Sequence, residues 1–275
     1  MSLASLPPLR DSLAAHGLVA NKGFGQHFLL DLNITRKIAR LAEVGDGDLV
    51  IEVGPGPGGL TRALLETGAK VIAIEMDPRF APLLHDLSAA GGDFQLILGD
   101  ALKADETEIV RGRQAHLVSN LPYNVGTALL IKWLTGPWTP ASLTLMFQKE
   151  VADRIVAAPG GDAYGRLAVL AQALTEAKLV MDVPARAFTP PPKVDSAVVR
   201  LTPLANRPHP ARLDALQRIT AAAFNQRRKM LRSSLKVMGG EALVLEAGLD
   251  PQARAETISM AGFFALADAW LAQRS

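Results

Sequence analysis

Along the first two hundred residues, short aliphatic or β-branched runs alternate with stretches whose apolar positions recur at helical spacing. The runs Leu49–Val53, Lys70–Ile74, Gln95–Leu98, His116–Ser119, Leu143–Phe147, Leu179–Val183 and Ala197–Leu201 predict strands. Between them, Leu60–Thr67, Pro78–Ala89, Thr127–Leu134, Lys149–Ala157 and Arg166–Glu176 predict helices. Alternation on this scale predicts parallel βαβ units in a doubly wound α/β sheet. Continuous apolar runs such as VIAI and LVS suit a sheet covered on both faces. The rhythm breaks at 177–203, where two strands joined by the proline-rich AFTPPPKVDS predict a terminal antiparallel pair. Beyond Pro203 the linker NRPHP leads into helical patterns only: Arg212–Phe224, Arg227–Val237, Glu241–Glu246 and Thr257–Leu271. This divides the chain into a sheet domain, residues 1–204, and a small all-α domain, residues 205–275.

Composition narrows the function classes. A chain of 275 residues that is 49% hydrophobic buries a substantial core, consistent with one large and one small domain. The absence of cysteine excludes disulfides, thiolate metal sites and a thiol nucleophile. The five histidines show no ligand spacing, so no metal is expected. Apolar runs are too short and interrupted for a membrane span, and the N-terminus lacks the apolar core of an export signal, so the expected location is cytoplasmic. Nothing in the sequence demands a dimer, and a monomer is expected. The net charge of +2 conceals a division: residues 205–240 carry eight basic residues against one acid, a local charge of +7, which leaves the rest at −5. Such a segment is either a solvated helical face or a polyanion-binding surface. In the second reading Arg227, Arg228, Lys229 and Arg232 meet nucleic-acid phosphates.

Candidate chemistry begins at LVIEVGPGPGGLT, a glycine-rich turn between a strand and a helix. Gly54, Gly56, Gly58 and Gly59 let the backbone turn tightly and approach a ligand. Gly54-x-Gly56-x-x-Gly59 also matches the dinucleotide fingerprint, with Glu75 where a ribose-binding acid belongs, so a nicotinamide enzyme is one reading. Three acids favour S-adenosylmethionine instead. Glu52 precedes the loop, giving Glu-x-Gly-x-Gly-x-Gly. Glu75 ends the second strand, where a carboxylate can accept from both ribose hydroxyls. Asp100 ends the third, where it can accept from an adenine amino group. All three fall at the carboxyl edge of a parallel sheet, where open α/β folds bind ligands. Asp77, before Pro78, reads as a helix cap.

At the end of the fourth strand stands Asn120-Leu121-Pro122-Tyr123. An adenine 6-amino nitrogen is a poor nucleophile because its lone pair is delocalised into the ring. Two hydrogen-bond acceptors, the Asn120 side-chain oxygen and a backbone carbonyl such as that of Leu121, would favour a tetrahedral nitrogen. Pro122 would stiffen the loop and Tyr123 would stack on the base. The rest is in-line alignment of nitrogen, methyl carbon and sulfur, a positioning effect.

With these residues assembled, the chain resembles the small-subunit (16S) ribosomal RNA adenine dimethyltransferases (the KsgA/RsmA type) from about Gly23 to beyond Phe263. The motifs are GFGQHFLLD at Gly23–Asp31, IEVGPGPGGLT, IEMD, GDAL, NLPYN, FQKEVADR, YGRLAVLAQ and FTPPPKVDSAVVRL. The resemblance implies a Rossmann-like class I methyltransferase sheet, mostly parallel with an antiparallel last strand. It implies S-adenosylmethionine contacts from His27, Leu29, Gly54, Gly56, Glu75, Asp100 and Asn120, and a base pocket at Asn120 to Tyr123 with Phe188 as a second aromatic wall. The family motif often reads Gln-Asn-Phe-Leu where this chain has Gln26-His27-Phe28-Leu29, which leaves open whether His27 acts by side chain or backbone. The implied reaction dimethylates two adjacent adenosines in a hairpin near the 3′ end of 16S rRNA, within an immature 30S subunit. The alternatives are a large-subunit rRNA methyltransferase of the antibiotic-resistance type and a ribosome-assembly factor whose catalysis is secondary.

Overall fold

The computed structural model describes residues 3–20 and 26–274. Gly23, Phe24 and Gly25 of the first motif lie outside the described residues. In chain order the elements are α1 (Leu9–Ala15), β1 (Phe28–Leu29), α2 (Leu32–Leu41), β2 (Leu49–Val53), α3 (Gly59–Leu65) and β3 (Lys70–Glu75). There follow α4 (Ala81–Ala89), β4 (Phe94–Leu98), α5 (Glu106–Val110), β5 (His116–Asn120), α6 (Gly126–Thr135) and β6 (Leu143–Gln148). Then come α7 (Lys149–Val156), α8 (Arg166–Leu174), β7 (Thr175–Val183), β8 (Phe188–Thr189) and β9 (Ser196–Pro203). The chain closes with α9 (Pro210–Asn225), α10 (Leu231–Ser234), α11 (Gly240–Glu246) and α12 (Met260–Ala272).

Seven strands form one sheet in the order β4-β3-β2-β5-β6-β9-β7. The pairs β3/β4, β2/β3, β2/β5 and β5/β6 are parallel, and β9 runs antiparallel to β6. Every residue of β2 and all but the first of β3 are buried, as continuous apolar strands require of a sheet covered on both faces. Because β2 is central and its neighbours are β3 and β5, the carboxyl ends of these three strands meet at one edge, where the strand order reverses.

Local departures from the expected pattern have local causes. Helix α2, absent from the expected elements, is amphipathic and buries Thr35, Ile38 and Ala39, and it starts where Asp31 accepts from Asn33 N at 2.8 Å. The helix expected over Arg166–Glu176 stops at Leu174: Thr175 turns extended and starts β7. The helix expected over Arg227–Val237 is reduced to α10 and a short 3₁₀ turn at Lys236–Met238. There Met230 bridges Arg254, while Leu231 N and Arg232 N donate to the Ala253 and Pro251 carbonyls, so the backbone is committed to a neighbouring loop.

The chain divides into two compact units, 1–152 with 178–202, and 153–177 with 203–275. The expected boundary at 204/205 lies beside the last crossing, at 202/203, but 153–177 group with the C-terminal helices. Within that second unit Tyr164 is buried against Phe224 and donates its hydroxyl to the Ile258 carbonyl at 3.0 Å. Gly160 N donates to the Glu256 carbonyl at 2.7 Å and Leu204 N to that of Leu174 at 2.9 Å.

Candidate active site

In the first unit the carboxyl ends of β2, β3 and β5, with the turn after β4, border an open cleft. The glycine turn after β2 is fixed by backbone geometry. Gly54 has φ +68°, its N–H donates to the Ile74 carbonyl at 2.9 Å, and a Cβ there would come within 3.3 Å of Pro122 Cγ. At Gly59 a Cβ would meet the Leu29 carbonyl at 2.8 Å, so only glycine lets β1 cross so close to the start of α3.

Glu75 ends β3 and braces this turn. Its Oε2 accepts from Gly56 N at 3.1 Å and its Oε1 from Asp77 N at 2.8 Å. Burial pushes its pKa up, and those two backbone donors offset part of the rise. Asp77 caps the short turn at Pro78–Phe80, and its ion pair with Arg79 holds its pKa below the ordinary carboxylate value. It also accepts from the Gln26 side chain at 3.1 Å. Asp100 lines the same cleft, and its Oδ1 accepts from Leu102 N at 2.9 Å.

The segment after β5 carries the Asn-Leu-Pro-Tyr motif. Ser119 Oγ donates to the Val53 carbonyl at 2.5 Å and ties the ends of β5 and β2 together. The Pro122 carbonyl accepts from Val125 N at 3.2 Å and Gly126 N at 3.0 Å, which closes the motif into the first turn of α6. Among the described residues, no donor reaches the Leu121 carbonyl or the Asn120 side chain. Tyr123 is held on two sides. Its hydroxyl pairs with Ser196 Oγ at 2.6 Å, and the His27 ring stacks on it with centroids 5.6 Å apart and planes inclined at 27°. A carbonyl only accepts, so the contact between His27 Nδ1 and the Pro190 oxygen at 2.8 Å places the ring hydrogen on Nδ1.

A family model described as ribosomal RNA adenine dimethylase matches residues 17–271. The chain belongs to the ribosomal RNA adenine dimethylase family. It is 76% identical to a protein of Phenylobacterium zucineum named ribosomal RNA small subunit methyltransferase A, over all of this chain and 96% of that one. Among solved structures it resembles a dimethyladenosine transferase from Plasmodium falciparum, with a TM-score of 0.71 and 25% identity over 87% of this chain and 96% of that one. It also resembles the 23S rRNA methyltransferase ErmE, with a TM-score of 0.69 and 27% identity over 88% and 98% of the two chains. Membership makes the chain an S-adenosylmethionine-dependent rRNA methyltransferase with the class I methyltransferase fold.

The cleft residues suit that methyl donor. The glycine turn leaves open the space a Cβ on Gly54 would fill, and Glu52, Glu75, Asp77 and Asp100 line the cleft with no lysine or arginine among the described residues. A ligand with a cationic sulfonium and no phosphate fits such a surface. Among the described residues, no group of three His, Asp or Glu is placed to hold a metal ion.

One expected residue lies elsewhere. Phe188 is 3% exposed, does not line the cleft, and belongs to the apolar cluster that contains Phe28, Phe80 and Val183. The cause is the pairing of β8 with β1, Leu29 opposite Phe188, which seats the phenylalanine in the core. The sequence reading also passed over three contributors. Ser196 holds the Tyr123 hydroxyl. Lys132, on α6, donates to the Ala101 and Ala104 carbonyls at 2.8 and 2.6 Å and to Glu106 Oε1 at 2.8 Å. Trp133 Nε1 donates to the same Glu106 oxygen at 2.8 Å. Lys132 and Trp133 together pin the loop that follows Asp100 and the Glu106 that ends it. A lysine within the apolar helix run LLIKWL was the available signal.

Proposed function

We propose that this enzyme dimethylates the 6-amino groups of two adjacent adenosines in a hairpin near the 3′ end of 16S rRNA, acting on an immature 30S subunit. The observation that carries the reading is a pair of acceptors that no donor among the described residues reaches, the Asn120 side-chain oxygen and the Leu121 carbonyl, beside Tyr123 at the edge of the cofactor cleft. S-adenosylmethionine supplies the electrophilic methyl group. The chain's own residues do the rest: Asn120 and Leu121 accept the two amino hydrogens of the target, which draws the nitrogen toward tetrahedral geometry and localises its lone pair. Pro122 is the wrong acceptor because its carbonyl already receives two backbone N–H groups. Tyr123, held by Ser196, stacks on the base and sets its plane.

In this reading Glu75 accepts from the ribose hydroxyls, Asp100 from the cofactor's adenine amino group, and the exposed side chains of Met76 and Leu102 flank that ring. Gly54, Gly56 and Leu29 bring backbone close to the cofactor. His27 acts through its backbone there, because its ring is engaged by Tyr123 and Pro190. The buried Phe188 shares an apolar cluster with Phe28 and Leu29, which line the cleft. The target base must leave its stack, which costs a few kcal/mol, less in a loop than in a duplex. The exposed Arg227, Arg228, Lys229 and Arg232 contact phosphates and supply sequence-independent affinity. The relative named small subunit methyltransferase A, at 76% identity, supports the small subunit over the large one.

The test is incubation with methyl-labelled S-adenosylmethionine and small and large subunits from cells lacking these modifications, followed by nucleoside analysis. Dimethyladenosine at two neighbouring sites near the small-subunit 3′ end is expected. Label confined to large-subunit RNA overturns the reading. An Asn120→Ala protein that still binds small subunits but transfers no label separates catalysis from any assembly role.

A further inference from the structure

Glu52 sits in β2, two residues before the glycine turn, lines the cleft and is 1% exposed. Its Oε2 has no hydrogen-bond partner among the described residues. An ionised carboxylate is poorly tolerated in that setting, so the neutral acid is the stable form. Burial raises its pKa to about 8, and the charge of Glu75 at the end of β3 pushes the same way. Beside it on α3 the Thr61 hydroxyl lies near enough to the carboxyl to offset the shift in part, though it stands outside hydrogen-bond geometry. The arginine of that helix is directed elsewhere: Arg62 donates to the Leu6 and Pro7 carbonyls. Along the cleft the remaining charged groups are Glu75, Asp77 and Asp100, with His27 at the rim. No described cation is therefore placed to stabilise an ionised Glu52, and an arriving ligand would have to bring one.

We propose that Glu52 senses the charge on the cofactor's sulfur, giving up its proton when a sulfonium ligand binds and taking one back once the sulfur is an uncharged thioether. The proposal rests on the cleft being the S-adenosylmethionine site. The balance closes. Transfer breaks the S–CH₃ bond with its electron pair left on sulfur and forms an N–CH₃ bond with the amino lone pair. The nitrogen then sheds one proton to solvent, and Glu52 takes one proton from solvent. The cleft thus returns to its starting charge, and the preference for substrate cofactor over product is set by a group that needs no contact with either amino acid end.

The test is calorimetric titration of the wild-type protein at pH 7 with S-adenosylmethionine and with S-adenosylhomocysteine, each in two buffers of different ionisation enthalpy. The sulfonium ligand is expected to release close to one proton more than the thioether. Its affinity should rise by up to tenfold per pH unit toward pH 8 and level off above. Both ligands carry an α-amino group that titrates near pH 8, so Glu52→Gln supplies the subtraction: the difference between the ligands should vanish in it. Equal proton release by the two ligands in wild type, or an undiminished difference in Glu52→Gln, overturns the proposal. The wild-type pH series decides the matter even if the variant does not fold. Failure of S-adenosylmethionine to bind at all is a different result and rejects the site itself.

Discussion

The Tyr123 hydroxyl and Ser196 Oγ stand 2.6 Å apart although 73 positions separate them in the chain. The bond exists because β9 returns antiparallel beside β6 and brings its first residue, Ser196, opposite Gln148 at the edge where the Asn-Leu-Pro-Tyr segment lies. Ser196→Ala should therefore loosen the Tyr123 ring without unfolding the protein, since one neutral hydrogen bond contributes about 1 kcal/mol. The expected outcome is about a tenfold loss in kcat/KM for RNA with S-adenosylmethionine affinity unchanged, partly recovered in Ser196→Thr. Steady-state kinetics with thermal melts check it, and a melt unchanged alongside full activity would refute the assignment.

Lys132 and Glu106 act on the site through the loop after Asp100. Lys132→Met strips two hydrogen bonds from that loop and one from Glu106 at the start of α5, and leaves that nearly buried carboxylate with the Trp133 indole as its remaining donor among the described residues. A loss of about 2 kcal/mol in stability is expected, from the orphaned charge more than from the missing contact. KM for S-adenosylmethionine should rise several-fold with kcat little changed. Adding Glu106→Gln should recover most of the stability, because an amide still accepts from Trp133. A double-mutant cycle by urea unfolding measures the coupling.

Glu52 gives stability a pH dependence whose sign follows from its raised pKa. Between the ordinary carboxylate value near 4.5 and about 8 the folded protein holds a proton that the unfolded chain does not. Stability contributed by that proton is present in full below pH 4.5 and is lost as pH rises through 8. The raised pKa of Glu75 adds in the same direction. The lowered pKa of the half-buried His116 works against it below pH 6.5, through burial of the charged ring. The wild-type minus Glu52→Gln difference in unfolding free energy isolates Glu52 and should fall between pH 5 and pH 9. A flat difference would show that Glu52 ionises as freely in the folded protein as in the unfolded chain.

The exposed turn before α10 should govern salt dependence and not chemistry. Arg227 donates to the Asp162 carbonyl at 2.6 Å within its own unit, so Arg228 and Lys229 are the cleaner probes. Replacing both by alanine should reduce the slope of log affinity against log salt by about 1.5 to 2, as expected for two lost phosphate contacts. Binding to small-subunit RNA across a salt series reads this directly, and an unchanged slope would place the phosphate contacts elsewhere.

The alternation of apolar strands with helices, the glycine turn, the acids at successive strand ends and the Asn-Leu-Pro-Tyr segment are all local patterns. They depend on neighbours within a few residues, and for that reason the sequence alone was enough to read the sheet, the acids along its carboxyl edge and the segment that borders it. What depends on residues distant in the chain was decided only in three dimensions. The resemblance implies Phe188 as a second aromatic wall of the base pocket, yet pairing of β8 with β1 sinks it into the core. The basic stretch at 227–237 has helical composition, but bonds from its backbone to residues 251–254 break the helix. Ser196, Lys132 and Glu106 carry no motif of their own, and their importance arises from partners 26 to 73 positions away. The same holds for Glu52: its place before the glycines is visible in the sequence, but the burial that raises its pKa exists only once β2 lies inside the sheet. Local propensity and periodicity are set by adjacent side chains, whereas burial, orphaned acceptors and shifted pKa values are properties of the packed core and have no counterpart in the unfolded chain.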